Sequence, residues 1–283
     1  MIIIKKINDL TKFLQLNRKD GRKIGFVPTM GALHAGHISL IRSSVEDNAL
    51  TVASIFVNPV QFNDPKDYEK YPVTIENDIL LLENAGCDIL FLPSVSEIYP
   101  NGTVQQNKYD LGYLETVLEG KFRPGHFQGV CMVMERLLDI VRPDNLYLGQ
   151  KDYQQCMVIK RLTGLIKTNN LVNVRICPTL RESDGLAMSS RNMRLNETER
   201  KQAVTIYKAL QLMKEGLGKN DVGFLKSEAE KLLFKNGFTT DYVEIADASD
   251  LKLVKDWDGK QKLVALIAAF LNEVRLIDNL PLN

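Results

Sequence analysis

The sequence predicts an α/β protein: a parallel sheet covered by helices on both faces, followed by a smaller α+β domain. Three observations carry this reading. Short, nearly all-apolar runs such as residues 24–27 and 51–57 suit strands buried on both faces. Between them lie segments with apolar residues at helical spacing, bounded by capping or breaking residues. From about Leu180 onward the alternation gives way to helices and then to three strand-like runs.

The elements follow in order. Residues 24–27 form a strand that stops at Pro28, and 36–48 a helix with Ile38, Leu40, Ile41 and Val45 on or near one face. Residues 51–57 are strongly β and end at Asn58-Pro59. Thr74 is placed to cap a helix through Ile75, Ile79 and Leu82, and Gly86 to end it. Residues 88–92 form a strand stopped by Pro93. A longer helix over 127–141 repeats Val130, Val133, Met134, Leu137, Leu138 and Val141 at helical spacing, which puts Met132 and Met134 in core packing. A strand at 145–148, a helix at 153–166 and a strand at 172–177 complete the alternating part. The rest reads as helices at 197–214 and 225–234 and strands at 242–246, 263–270 and 274–277. The expected division is a domain over 1–180 and a smaller one over 181–283.

Composition narrows the function. The 283 residues carry 36 Lys+Arg against 35 Asp+Glu, a net charge of +1, which argues against nucleic acid as the main partner. The longest apolar run, 263–271, is far short of the roughly 20 residues that span a bilayer, so no membrane partner is expected. Met1-Ile2-Ile3-Ile4 followed by Lys5-Lys6 lacks the layout of a signal peptide. Cys87, Cys131, Cys156 and Cys177 show no CxxC spacing and read as buried, reduced thiols of a cytoplasmic protein. No metal ligands are assigned.

The candidate chemistry gathers after strands, where open parallel sheets bind ligands. His34 and His37 stand three positions apart in Pro28-Thr29-Met30-Gly31-Ala32-Leu33-His34-Ala35-Gly36-His37. This loop ends at a helix N-terminus, where free N–H groups and the helix dipole favour anions. Gly31 and Gly36 let a nucleotide approach the backbone. Neither the P-loop nor the G-x-G-x-x-G pattern is present. Gly149-Gln150-Lys151-Asp152 follows the next strand; Lys151 suits a phosphate, and Asp152 either a ribose hydroxyl or a helix cap. Met188-Ser189-Ser190-Arg191-Asn192 offers hydroxyls and a guanidinium suited to polyphosphate, or else a capped turn. Gln61 and Gln155 can donate to a carboxylate or hydroxyl without adding charge. His126, in Arg123-Pro124-Gly125-His126-Phe127, is a turn residue or a phosphate contact.

Together the loop from Pro28 to His37, Phe56-Val57-Asn58-Pro59-Val60-Gln61-Phe62, Arg123 to Phe127, Gly149 to Gln155 and Asp184 to Asn192 resemble the pantothenate synthetase (pantoate–β-alanine ligase) family. The resemblance extends over the chain's length, with the motifs in the family's order. It implies a Rossmann-like N-terminal domain, a smaller C-terminal domain closing over the ATP site, and a homodimer. It implies ATP as a substrate with Mg²⁺, a pantoyl adenylate formed from (R)-pantoate with release of pyrophosphate, and attack by β-alanine to give pantothenate and AMP. By motif, Met30, Gly31, Ala32, Leu33, His34, Ala35, Gly36 and His37 would line the ATP site, with His37 as proton donor. Gly149, Gln150, Lys151 and Asp152 would hold the nucleotide, Leu180 would lie against adenosine, and Met188, Ser189, Ser190 and Arg191 would face the phosphates. His34, His37, Lys151 and Arg191 would be catalytic. Gln61 and Gln155 would grip pantoate, and Gln61 also β-alanine. Two other functions compete with this one. Another nucleotidyltransferase would share the His-x-Gly-His loop but show a more basic substrate site. A non-catalytic nucleotide- or RNA-binding module would show a basic, aromatic face.

Overall fold

The computed structural model describes residues 1–19, 21–63, 65–104, 107–166 and 172–283. The described residues fall into two compact units: Met1–Gly149 with Gln155–Pro178, and Gln150–Gln154 with Thr179–Asn283. Among them no helix is long and apolar enough to cross a membrane.

In the first unit the chain runs β1 (Ile2–Ile4), α1 (Ile7–Lys19), β2 (Ile24–Thr29), α2 (Ala35–Asp47), β3 (Leu50–Ile55), α3 (Pro65–Glu69), α4 (Ile75–Asn84) and β4 (Ile89–Phe91). It continues through α5 (Val95–Ile98), α6 (Leu118–Phe122), α7 (His126–Val141), β5 (Asn145–Gly149), α8 (Tyr153–Leu165) and β6 (Asn173–Cys177). The six strands form one parallel sheet in the order β1-β4-β3-β2-β5-β6. The strands are apolar on both sides because both faces are covered. Phe26, Val52, Ile89, Phe91 and Leu146 enter one core with α1, α7 and α8. Their neighbours Val27, Ala53, Leu90 and Tyr147 enter the other with α2 and α4. Strand order reverses between β2 and β5, which makes their C-terminal ends the switch point of the sheet.

The second unit holds α9 (Glu197–Ala203), α10 (Thr205–Gly216), α11 (Val222–Lys235), β7 (Phe238–Asp247), β8 (Leu263–Leu271) and β9 (Val274–Pro281). The three strands pair antiparallel in sequence order. Leu210, Met213, Leu225 and Leu233 of the helices pack with Val243, Ile245, Ala265 and Ile267 of the sheet.

Several elements differ from the sequence reading. β2 does not stop at Pro28, which pairs with Ser54 of β3. β5 pairs with β2 only at Gly25 and Phe26, so Pro28 lies where that edge is already unpaired and a missing N–H is tolerated. β1 and α1 were not anticipated. β1 is an edge strand with Ile2 and Ile3 exposed, too short to show alternation. The helix expected over 197–214 is interrupted in its hydrogen bonding at Val204, which keeps helical angles. Thr74 stands at the N-cap of α4 but makes no cap bond, because its hydroxyl donates to Asp78 Oδ1 at 3.0 Å. Cys87, Cys131 and Cys156 are buried and Cys177 half-buried.

Candidate active site

The histidine loop is shaped by one buried carboxylate. Asp78 lies on the inward face of α4, fully buried. Its Oδ2 accepts the Ala32 N–H at 3.0 Å and its Oδ1 the Leu33 N–H at 2.8 Å. The chain must turn sharply to offer both, and does so with Gly31 at φ 81° and Ala32 at φ 49°. A Cβ on Gly31 would also stand 3.1 Å from both Asp78 Oδ2 and Ile55 Cγ2. An alanine in the left-handed region is uncommon, and the two charge-assisted bonds hold it there.

The turn delivers His34 to the N-cap of α2 and His37 to its third position. Their rings lie 4.1 Å apart, centroid to centroid. The His34 backbone N–H donates to His37 Nδ1 at 3.4 Å. With Nδ1 accepting, the neutral His37 ring carries its proton on Nε2. Two imidazoles therefore stand at a helix N-terminus, at the C-terminal end of β2, where helix dipole and backbone N–H groups favour an anion.

Gln61 ends a 3₁₀ turn over Pro59–Gln61. The turn is anchored by Asn58, 1% exposed, whose Nδ2 donates to Gln61 Oε1 and to the Gly129 carbonyl, both at 3.1 Å. Asn58 Oδ1 in turn accepts the Tyr99 hydroxyl at 2.9 Å and the Val60 N–H at 3.3 Å, and the backbone donor fixes which way the amide faces. Gln61 therefore presents its Nε2 as donor, here to Met30 Sδ at 3.0 Å. That contact brings Gln61 to the start of the histidine loop. Gly129 lets α7 pack flush against the turn, since a Cβ there would stand 2.5 Å from the Val60 carbonyl oxygen. His126 is the first residue of α7 rather than a turn residue. It is buried at the start of α7, its Nδ1 at 2.8 Å from the Gln61 carbonyl and its Nε2 at 2.9 Å from Arg123 Nη1. Gln155 lies half-buried in the first turn of α8.

Gly149 closes β5 with open space where a Cβ would be. The next residues, Gln150–Asp152, form a 3₁₀ turn belonging to the second unit. Lys151 Nζ lies 3.7 Å from Asp152 Oδ1, and its side chain is 17% exposed. In the same unit Leu180 and Met188 are joined by a backbone bond of 3.1 Å, and an isolated bridge pairs Arg181 with Ala187. Ser189 caps the 3₁₀ turn over Ser190–Arg194, its hydroxyl accepting the Arg191 N–H at 3.3 Å. Arg181 closes this segment onto β9: its Nη1 and Nη2 reach the two oxygens of Asp278 at 2.6 and 3.0 Å. Its guanidinium also lies over the Tyr207 ring, 4.2 Å from the centroid. Burial pushes the Asp278 carboxyl above its usual value, and Arg181 opposes that shift. Asp78, Tyr99, Asp278 and Asn279 were not singled out from sequence. A signal existed for two of them. Asp78 interrupts the apolar stripe of Ile75, Ile79 and Leu82, and Asp278 occupies the inward register of Val274 and Leu276.

The family model described as Pantoate-beta-alanine ligase matches residues 2–281. The chain belongs to the pantoate-beta-alanine ligase family. The pantothenate synthetase of Cytophaga hutchinsonii is 44% identical over 283 residues, 99% of each chain. Pantothenate synthetase from Thermus thermophilus has a similar solved structure, with a TM-score of 0.91 at 39% identity, covering 100% of this chain and 99% of that one. The pantoate-beta-alanine ligase of Francisella tularensis, crystallised with beta-gamma ATP and beta-alanine, has a TM-score of 0.81 at 38% identity, covering 99% and 97%. The parallel-sheet architecture with a small second sheet is thus the family's fold.

Proposed function

We propose that the chain condenses (R)-pantoate with β-alanine, using ATP, through a pantoyl adenylate. The carrying observation is the family match, which runs over residues 2–281 and so includes every motif of the candidate site. In the first step a pantoate carboxylate oxygen attacks the α-phosphorus, and the bond to the bridging oxygen breaks to release pyrophosphate. In the second the β-alanine nitrogen attacks the acyl carbon, the bond to the AMP oxygen breaks, and the nitrogen gives up a proton.

Both reactants of the first step are anionic, so the residues serve mainly to offset charge and to position. We assign Met30, Gly31, Ala32, Leu33, His34, Ala35, Gly36 and His37 to ATP. The helix N-terminus and the Nε2–H of His37 support that role, with His37 as proton donor. We assign Gln61 and Gln155 to pantoate, and Gln61 to β-alanine; the Asn58 bond that frees Gln61 Nε2 to donate supports this. Gly149, Gln150, Lys151, Asp152, Leu180, Met188, Ser189, Ser190 and Arg191 are assigned to the nucleotide on the motif likeness, with Lys151 and Arg191 acting on its phosphates.

Among the described residues no group of three His, Cys, Asp or Glu side chains is disposed to hold a metal ion. The Mg²⁺ we propose would come with ATP and would neutralise phosphate charge. We further propose a homodimer in the cytoplasm, on the family likeness alone. The test is product stoichiometry: pantothenate, AMP and pyrophosphate should form in equal amounts from the three substrates. His37→Ala and Lys151→Ala should each lower turnover about a hundredfold or more with the fold intact. Near wild-type turnover in either variant removes that residue from the scheme.

A further inference from the structure

The segment carrying Lys151 is held from an unexpected direction. Asn279 lies near the end of β9, 128 residues away in sequence from Lys151, and is 2% exposed. Its Nδ2 donates to the Gln150 carbonyl at 2.9 Å and to the Lys151 carbonyl at 2.8 Å. Its Oδ1 accepts Gln150 Nε2 at 3.4 Å. The backbone of Asn279 is fixed in turn: its N–H donates to Asp278 Oδ1 at 2.8 Å, and its carbonyl accepts Arg181 Nη2 at 3.1 Å. One amide thus holds two successive carbonyls of the turn from which the Lys151 side chain springs.

A residue that only satisfied a buried strand would not need this arrangement. Both hydrogens of a primary amide are used on adjacent peptide groups, which fixes the tilt of both. Aspartate has the size but no donor. Serine has one donor for two carbonyls.

We propose that Asn279 is a positioning residue for the adenylation step, acting through Lys151. The inference rests on the role given to Lys151 above. Asn279 touches no substrate in this scheme; it sets the backbone that aims the ammonium group.

The experiment is a double-mutant cycle in the full chain, read by single-turnover formation of pantoyl adenylate from ATP and pantoate. Asn279→Ala should slow adenylation roughly tenfold to a hundredfold, the usual result of misplacing a catalytic group by about 1 Å. The KM for pantoate should stay within about twofold. In the Lys151→Ala background, Asn279→Ala should change the rate by no more than about twofold. Asn279→Asp, which keeps the shape but turns an oxygen toward the two carbonyls, should slow adenylation at least as much as Asn279→Ala. A wild-type rate in Asn279→Ala overturns the proposal, and so does a full independent loss on top of Lys151→Ala. Failure of Asn279→Ala, Asn279→Asp and Asn279→Ser all to fold also overturns it, because the residue would then hold the domain rather than the lysine. If Lys151→Ala alone turns over at the wild-type rate, the role of Lys151 fails instead.

Discussion

Replacing Asp78 with asparagine tests how the histidine loop is built. The carboxylate is fully buried and accepts three donors: Ala32 N–H at 3.0 Å, Leu33 N–H at 2.8 Å and the Thr74 hydroxyl at 3.0 Å. Asparagine fills the same volume but has one acceptor. With its NH₂ in the place of Oδ1 it would face Leu33 N–H and the Thr74 hydroxyl; in the place of Oδ2 it faces only Ala32 N–H. The second arrangement costs less. It orphans one buried N–H, at about 1–3 kcal/mol, and turns the Leu33 and Thr74 bonds from charged to neutral, at about 1 kcal/mol more in all. Asp78→Asn should therefore destabilise by roughly 2–4 kcal/mol. Ala32 at φ 49° loses the bond that holds it there, so His34 and His37 shift as well. A displacement of about 1 Å costs on the order of a hundredfold in rate. Urea unfolding and pantothenate formation on the same preparation read both effects. Thr74→Val is the control: it removes one donor without stranding another and should cost less than about 1.5 kcal/mol. Wild-type stability and turnover in Asp78→Asn would show that the loop is held by something else.

Two further changes follow from the same geometry. Gly129→Ala sets a Cβ 2.5 Å from the Val60 carbonyl oxygen and 2.9 Å from Gln61 Cα, both backbone, so α7 and the 3₁₀ turn must separate. The expected cost is about 1–3 kcal/mol with a raised KM for pantoate, and an unchanged KM would mean that the turn does not set Gln61. Burial raises the thiols of Cys87 and Cys131 to about 12, so both stay protonated in the folded chain while the unfolded chain titrates near the ordinary thiol value of about 8.5. The folded state then holds more protons, and stability should fall from about pH 9 toward pH 12, by about 1.4 kcal/mol per pH unit for each thiol. Cys87→Ala should flatten that alkaline slope, and a slope unchanged in the variant would count against the burial effect.

Much of the first unit was legible because its strands are short, apolar and separated by helical spacing. Residues 51–57, 88–92 and 145–148 anticipate β3, β4 and β5, whose alternate side chains feed two separate cores. The histidine loop was legible from glycine and histidine placement after a strand. The groups that hold it in shape were not. Asp78 stands out as a carboxylate in an apolar stripe, but it acts 45 and 46 residues away from Leu33 and Ala32, and the backbone N–H groups it binds there leave no mark in the sequence. Asn279 is the same case at longer range, 128 and 129 residues from the carbonyls it holds. Pro28 misled for a local reason: proline ends most strands, but here the neighbouring strand had already parted.

The most direct test of the reaction is ATP–pyrophosphate exchange with Mg²⁺ and (R)-pantoate, β-alanine omitted. Exchange should require pantoate, because only a reversibly formed acyl adenylate returns label from pyrophosphate to ATP. Folded protein that binds ATP but shows no pantoate-dependent exchange would contradict the adenylate route, whatever the family likeness.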